Sequence, residues 1–257
     1  MKNLFLFLFL LVVFTSKAQD NRVSGLNSRQ FTKYWKVESE SPDYKVTFQG
    51  DTAEIVSPKG LTLWRKEKMS GKVTIEYDAC VVVESDGDRL SDLNCFWMAS
   101  DPQYPDNLWK REKWRSGIFL NCYSLQLYYL GYGGNHNSTT RFRRYDGDES
   151  GITNPKARPA ILKEYTDAGH LLKPNHWYHI KITNENNRVS YYIDGERLVD
   201  FRDAEPLREG WFGFRTTLSR TRITNFSYEC SSQEAAAVPL QWIGETQIGR
   251  ASCRERV

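Results

Sequence analysis

From Thr47 onward the chain alternates apolar and polar residues in short runs, each closed by a turn signal. Thr47-Phe48 and Ala53 to Val56 lead to Pro58-Lys59-Gly60; Val73 to Val83, Asn94 to Met98, Ile118 to Tyr123, Leu125 to Leu130 and Thr139 to Tyr145 follow. The pattern returns in Trp177 to Thr183, Arg188 to Ile193, Leu198 to Arg202, Trp211 to Thr216 and Arg222 to Tyr228. Asp86-Gly87, Asn186-Asn187, Asp194-Gly195 and Glu209-Gly210 punctuate these runs. Alternation with period two sends successive side chains to opposite faces, so each run reads as a half-buried strand. No stretch of useful length carries a helical period. About a dozen such strands need a second sheet to cover their apolar faces. The expected fold class is all-β, a two-sheet antiparallel β-sandwich.

The two ends break the pattern. Lys2, the apolar run Leu4 to Phe14 and Ser16-Lys17-Ala18 have the layout of a cleaved secretory signal, so residues 1–18 are expected to be a signal peptide. The apolar run is shorter than the roughly 20 residues a membrane-spanning helix needs, and no membrane anchor is expected. At the other end Ile248 to Val257 back-translates into a string resembling a sequencing adapter, and residues 248–257 are set aside as a cloning scar. Residues 231–247 read as an alanine-rich linker followed by VPLQWIGE, the start of a truncated further domain. A sandwich over 19–230 remains, exported and secreted or periplasmic.

Removing the ends changes the charge. The formal net charge of +3 includes Lys2 and Lys17 from the leader and three arginines against Glu255 from the scar. Without them the domain is close to neutral, which excludes a nucleic-acid partner held by bulk charge. Cys80, Cys95, Cys122 and Cys230 remain; an exported protein can pair them or keep them as buried thiols, and spacing does not rank the pairings. No Cys/His cluster suggests zinc, and no cofactor is required. Asp86 and Asp88 around Gly87 offer oxygens to a structural calcium, although two carboxylates do not make a site.

NHWYHIKI, RVSYYIDGERLVDF, GWFGFRT and RITNFSYE follow one another over residues 175–229. This order resembles the closing half of a concanavalin A-like jelly roll, the fold of legume lectins, laminin-G modules, many endoglucanases and several alginate lyases. With FWMASDP at 96–102, YYLGYGGNHNSTTRFRRY at 128–145 and HLLKPNHWYHIKI at 170–182, residues 30–230 resemble a bacterial family of exported jelly-roll proteins linked to polysaccharide degradation. VPLQWIGE resembles the start of exo-acting rhamnogalacturonan lyases. Retaining endoglucanases of this fold carry three carboxylates on one strand. Glu76-Tyr77-Asp78 begins that pattern, but Cys80 and Val81 stand where the third belongs, so a hydrolase is disfavoured.

The chemistry concentrates between Leu125 and Tyr145. Arg141, Arg143 and Tyr145 lie two apart and share one face of a strand. Guanidinium groups are poor core material but good clamps for carboxylates, while rings stack on sugar faces. The expected partner is an acidic, pectin-like polysaccharide or oligosaccharide. Cleavage by β-elimination would need His136 or Tyr132 as base, Tyr145 as acid, and Asn135, Arg141 and Arg143 on the uronate carboxylate. Asn137 and Tyr128 complete the substrate-binding set. Trp97, Trp109 and Trp114 flank the long segment Ser100 to Ser116 and are expected to form a groove wall, with Trp97 equally suited to the core. The alternatives are a non-catalytic binding module for the same polymer, or an adhesion module akin to laminin-G domains.

Overall fold

The structure is a computed structural model describing residues 22–231. The signal peptide, the linker, the further domain and the adapter scar expected from sequence lie outside the described residues, except for Ser231 at the start of the linker. Fourteen strands run in chain order: β1 (Val23–Ser24), β2 (Trp35–Ser39), β3 (Lys45–Gln49), β4 (Thr52–Arg65), β5 (Met69–Ser70), β6 (Lys72–Val81) and β7 (Leu93–Ser100), then β8 (Gln126–Gly133), β9 (Thr139–Asp146), β10 (Lys163–Tyr165), β11 (Tyr178–Glu185), β12 (Arg188–Ile193), β13 (Glu196–Arg202) and β14 (Glu209–Ser231). Every pairing among them is antiparallel.

Two strands belong to both layers. The first half of β14 pairs with β7, its second half with β6, and β4 runs alongside both halves. One layer is therefore β10-β9-β8-β7-β14-β4-β2; the other is β3-β4-β14-β6-β11-β12-β13. The crossing point is a bulge. Leu218, with φ of +50° and 53% exposed, stands opposite Pro58-Lys59, where the register slips between Thr217 and Ser219. Proline cannot donate to a ladder, and a bulge is where a strand tolerates it. Pro58-Lys59-Gly60 thus bends β4 from one layer to the next instead of ending it. Likewise the two runs expected at 211–216 and 222–228 are one continuous strand.

The main core lies between the layers. Trp97, Tyr128 and Phe142 from the first layer meet Tyr191, Ile180 and Tyr77 from the second. A second apolar cluster lies on the outer face of the first layer, where Trp64, Phe96, Leu127, Tyr129 and Tyr145 are roofed by the segment from Asp101 to Leu125. That segment departs from expectation. Ile118 to Tyr123 is not a strand: Ser116 and Gly117 adopt left-handed backbone, and bonds from Asn121 and Cys122 to Ile118 and Phe119 close a 3-10 helix at Leu120–Ser124. Two further short turns, Leu108–Arg111 and Glu112–Arg115, precede it.

The roof is held by buried charge. Arg115 and Glu38 are both buried, with Nη2 to Oε1 at 2.5 Å and Nε to Oε2 at 3.2 Å, and Arg115 also donates to the Leu108 carbonyl at 2.6 Å. Arg111 grips buried Asp101 through two bonds of 2.7 and 2.9 Å. Burial raises the Glu38 pKa, against the pull of Arg115.

Trp211 is buried as the closing strand's pattern suggests, but Trp177 is 43% exposed. β11 begins one residue later, and Tyr178 takes the inward parity. All four described cysteines are free thiols, three of them buried.

On β4, burial opposes the Glu54 carboxylate, but hydrogen bonds from Arg220 and Arg222 outweigh it and hold its pKa below the ordinary value of 4.5. The unfolded chain therefore binds this proton first. The ion cluster stabilises above about pH 4.5 and loses that contribution as pH falls through the lower folded-state value. Glu54→Gln is expected to flatten the acid side of the stability profile, read by urea denaturation at stepped pH; an unchanged acid limb would show that the cluster contributes nothing.

Candidate functional site

Directly paired residues in a sheet point to the same face, so the register builds a row without further assumption. Arg215 of β14 pairs with Asn94 of β7, Asn94 with Gly131 of β8, and Gly131 with Arg141 of β9. In the next row Phe96 pairs with Tyr129 and Tyr129 with Arg143. Both rows face outward from the first layer, on the side of the roof. They floor an open depression of about 360 Å³, walled by Phe119 and Tyr123 of the roof and by the β8–β9 loop at Gly134-Asn135. Gly131 makes room for the Tyr129 phenol in the floor: a Cβ there would lie 2.3 Å from the Tyr129 hydroxyl, which leans over it.

The polar groups are unevenly satisfied. Arg141 Nε is 2.5 Å from Glu164, and Arg143 donates to the Pro159 carbonyl. No ion pair to Arg143 is found among the described residues. Arg215 is buried beneath Phe119, its Nη groups on the Gly117 carbonyl and, at 3.4 Å, on Thr62 and Thr217. Its Nε has no partner. Asn94 donates to Asp92 at 3.2 Å, and its Oδ1 is buried without a partner. A buried polar atom left unpaired costs roughly 1–3 kcal/mol, and a bound ligand can recover that cost. Burial pushes the Tyr129 phenol well up, with the Asp92 charge adding to it; burial raises Tyr123 as well.

Of the residues expected from sequence, Arg141, Arg143 and Asn135 come together here. The others do not. Tyr145 has the expected parity, but it is fully buried under Tyr123 and beside Tyr129, with no partner for its hydroxyl. A proton donor cannot act from there. Tyr132, Tyr128 and Trp97 face the inter-layer core, because the hairpin register pairs Gly131, not Tyr132, with Arg141. Tyr128 donates to Asp203 at 2.6 Å, and Tyr132 to the Leu171 carbonyl at 3.4 Å. His136 is exposed at the loop tip with φ of +58° and does not border the depression. Asn137 clasps Leu172 through both its amide atoms, at 2.8 and 2.9 Å. Trp109 packs edge-on against Trp211, and Trp114 lies exposed beneath Arg111; neither borders the depression.

Asn94 and Arg215 escaped the sequence reading, as did Tyr129. The signal for Arg215 was present: Phe212 and Phe214 take the core parity of GWFGFRT, which leaves an arginine facing the other way. Glu76 and Asp78 point outward from β6 into contacts with Lys181 and His179. Asp88 accepts from the amides of Glu84 and Ser85, so its carboxylate closes a turn. Among the described residues no group of three His, Cys, Asp or Glu side chains could hold a metal ion, and none of the helices is long and apolar enough to cross a membrane.

Solved structures share this architecture at low identity. A Bacillus subtilis protein of unknown function with a galectin-like fold superposes with a TM-score of 0.64 at 16% identity, over 83% of this chain and 96% of that one. The exoplasmic/lumenal domain of VIP36, in its Ca2+/Man3GlcNAc-bound form, gives 0.53 at 9% identity over 84% and 91%. Carbohydrate binding module CBM66 from Bacillus subtilis gives 0.51 at 16% identity over 76% and 94%. These likenesses establish a galectin-like, concanavalin A-like β-sandwich. No curated protein matches the chain in sequence. A family model does match, over residues 55–226, which takes in both layers and every residue flooring the depression, and the chain belongs to that family, the domain of unknown function DUF6250.

Proposed function

We propose that the protein is an exported carbohydrate-binding module whose outer-face depression holds an acidic, pectin-like oligosaccharide. The observation that carries this reading is the row Arg215–Asn94–Gly131–Arg141 with Arg143 beside it, which lines an open depression and holds two unpartnered buried polar atoms. Arginine pairs with a carboxylate through two parallel bonds. The Asn94 carbonyl oxygen accepts from a sugar hydroxyl, and the Phe119 and Tyr123 rings offer apolar faces to a pyranose. A neighbour in fold, VIP36 in its Man3GlcNAc-bound form, supports the class of ligand.

Binding is favoured over β-elimination for a physical reason. Tyr145, the expected acid, is fully buried beneath the roof with no path to a ligand in the depression. His136 and Tyr132, the two expected bases, are elsewhere. The module would present polymer to a catalytic partner, as the resemblance at VPLQWIGE suggests.

Affinity electrophoresis through rhamnogalacturonan, polygalacturonate, alginate and ulvan, run beside an absorbance assay for unsaturated uronate, separates the readings. Retardation without absorbance is expected, weakening with added salt. Arg141→Gln with Arg143→Gln should weaken binding about tenfold or more, since each charged hydrogen bond is worth roughly 1.5–3 kcal/mol. Rising absorbance would establish a lyase. No retardation on any of them would remove the acidic ligand and favour adhesion.

A further inference from the structure

We infer that the depression takes the end of an acidic oligosaccharide, not a stretch from the middle of a chain; this rests on the sugar-binding reading above and specifies it. A polymer lying across a sheet must enter at one edge and leave at the other. Here the exit is blocked. Beyond Arg215 the next strand is β4, and its outer face at Gly60 is filled: a Cβ there would lie 2.1 Å from Glu40 Oε1, 2.5 Å from Arg215 Nη2 and 2.6 Å from the Gly117 carbonyl. Gly117 is itself bedded on β2 and β4, its own Cβ position 2.7 Å from Ser39 Cα and 2.8 Å from the Gly60 carbonyl. The roof therefore rests directly on the backbone, and only two glycines facing each other permit so close an approach.

The flanks are closed too. Phe119 and Tyr123 stand on one side, and Asp92 with the Gly134-Asn135 loop on the other. The side toward edge strand β10 is different: none of that strand's residues borders the depression, and Arg141 and Arg143 of β9 stand there. A ligand thus enters past Arg143 and past Arg141, which Glu164 of β10 holds in place, and stops at Arg215. The two unpartnered atoms, Asn94 Oδ1 and Arg215 Nε, lie at the closed side, one an acceptor and one a donor. A donor and an acceptor together suit the extra hydroxyl that a terminal sugar presents and that an internal one has committed to a linkage. The volume of about 360 Å³ sits at the small end of the roughly 300–1,000 Å³ usual for small-molecule sites, which is room for a short end and not for a long through-chain.

Calorimetric titration of the protein with galacturonate, digalacturonate, trigalacturonate and long polygalacturonate tests this. Affinity per mole of chain end should level off by the di- or trisaccharide, and digalacturonate should displace the protein from polygalacturonate. Asn94→Ala should weaken the disaccharide and the polymer by the same factor, about tenfold for a lost hydrogen bond to a strongly polar ligand, with the unfolding midpoint checked to confirm the fold. Affinity that climbs with chain length, together with a disaccharide that does not compete, overturns chain-end recognition while leaving acidic-sugar binding intact. Absence of binding to every galacturonate probe, with binding to another uronate polymer but not to its own short oligomers, does the same; absence of binding to any acidic sugar removes the functional reading itself and this inference with it.

Discussion

Glu38→Gln is expected to destabilise the domain by about 3–5 kcal/mol, the usual cost of removing one partner from a buried ion pair. Arg115 has no exposed surface, and without Glu38 its nearest carboxylate is Asp101 at 3.9 Å, already gripped by Arg111. An unfolding free energy of roughly 5–15 kcal/mol is typical of such a domain, so the loss is a large fraction of the whole and should be plain in urea denaturation. Replacing both residues by methionine should recover most of the loss, because hydrophobic replacement of a buried pair is often neutral or better. A Glu38→Gln midpoint within about 1 kcal/mol of the parent would mean that the pair does not anchor the roof.

Trp97→Ala should cost a similar amount, about 3–5 kcal/mol, and should leave sugar affinity unchanged. Its ring is fully buried among Tyr128, Phe142 and Tyr191 at centroid distances of 5.7 to 6.0 Å, on the face away from the depression. Trp114→Ala, at a site 43% exposed, should fall within about 0.5 kcal/mol of the parent. If Trp97→Ala instead lowered affinity at unchanged stability, the assignment of faces in β7 would be wrong.

Those face assignments mark the limit of what the sequence reveals. Period-two runs and turn residues suffice for strands, and the closing motifs suffice for the sandwich, because both follow from local sterics and a one-sided core. Parity within one strand is equally legible: Arg141, Arg143 and Tyr145 do share a face. Parity between strands is not. The β8–β9 loop sets the register, and a slip of one residue would have exchanged Tyr132 and Tyr128 for Gly131 and Tyr129. Nor can spacing reveal that Tyr145 lies under the roof while Arg141 lies beyond its edge. That depends on where Ser116 and Gly117 reverse the chain and on a buried ion pair joining residues 77 positions apart. Asn94 and Arg215 acquire their meaning only from cross-strand neighbours.

The closing strand β14 has one more consequence, for how the chain folds as it is made. It supplies partners to β1, β4, β5, β6 and β7, and its pairing with β1 joins Val23 to Tyr228. Neither layer is complete until that last strand is available, so the sequence separation of native pairings is high and acquisition of the fold is slow. A nascent chain of this kind therefore keeps both layers open, with their apolar faces uncovered, until its closing strand has been synthesised.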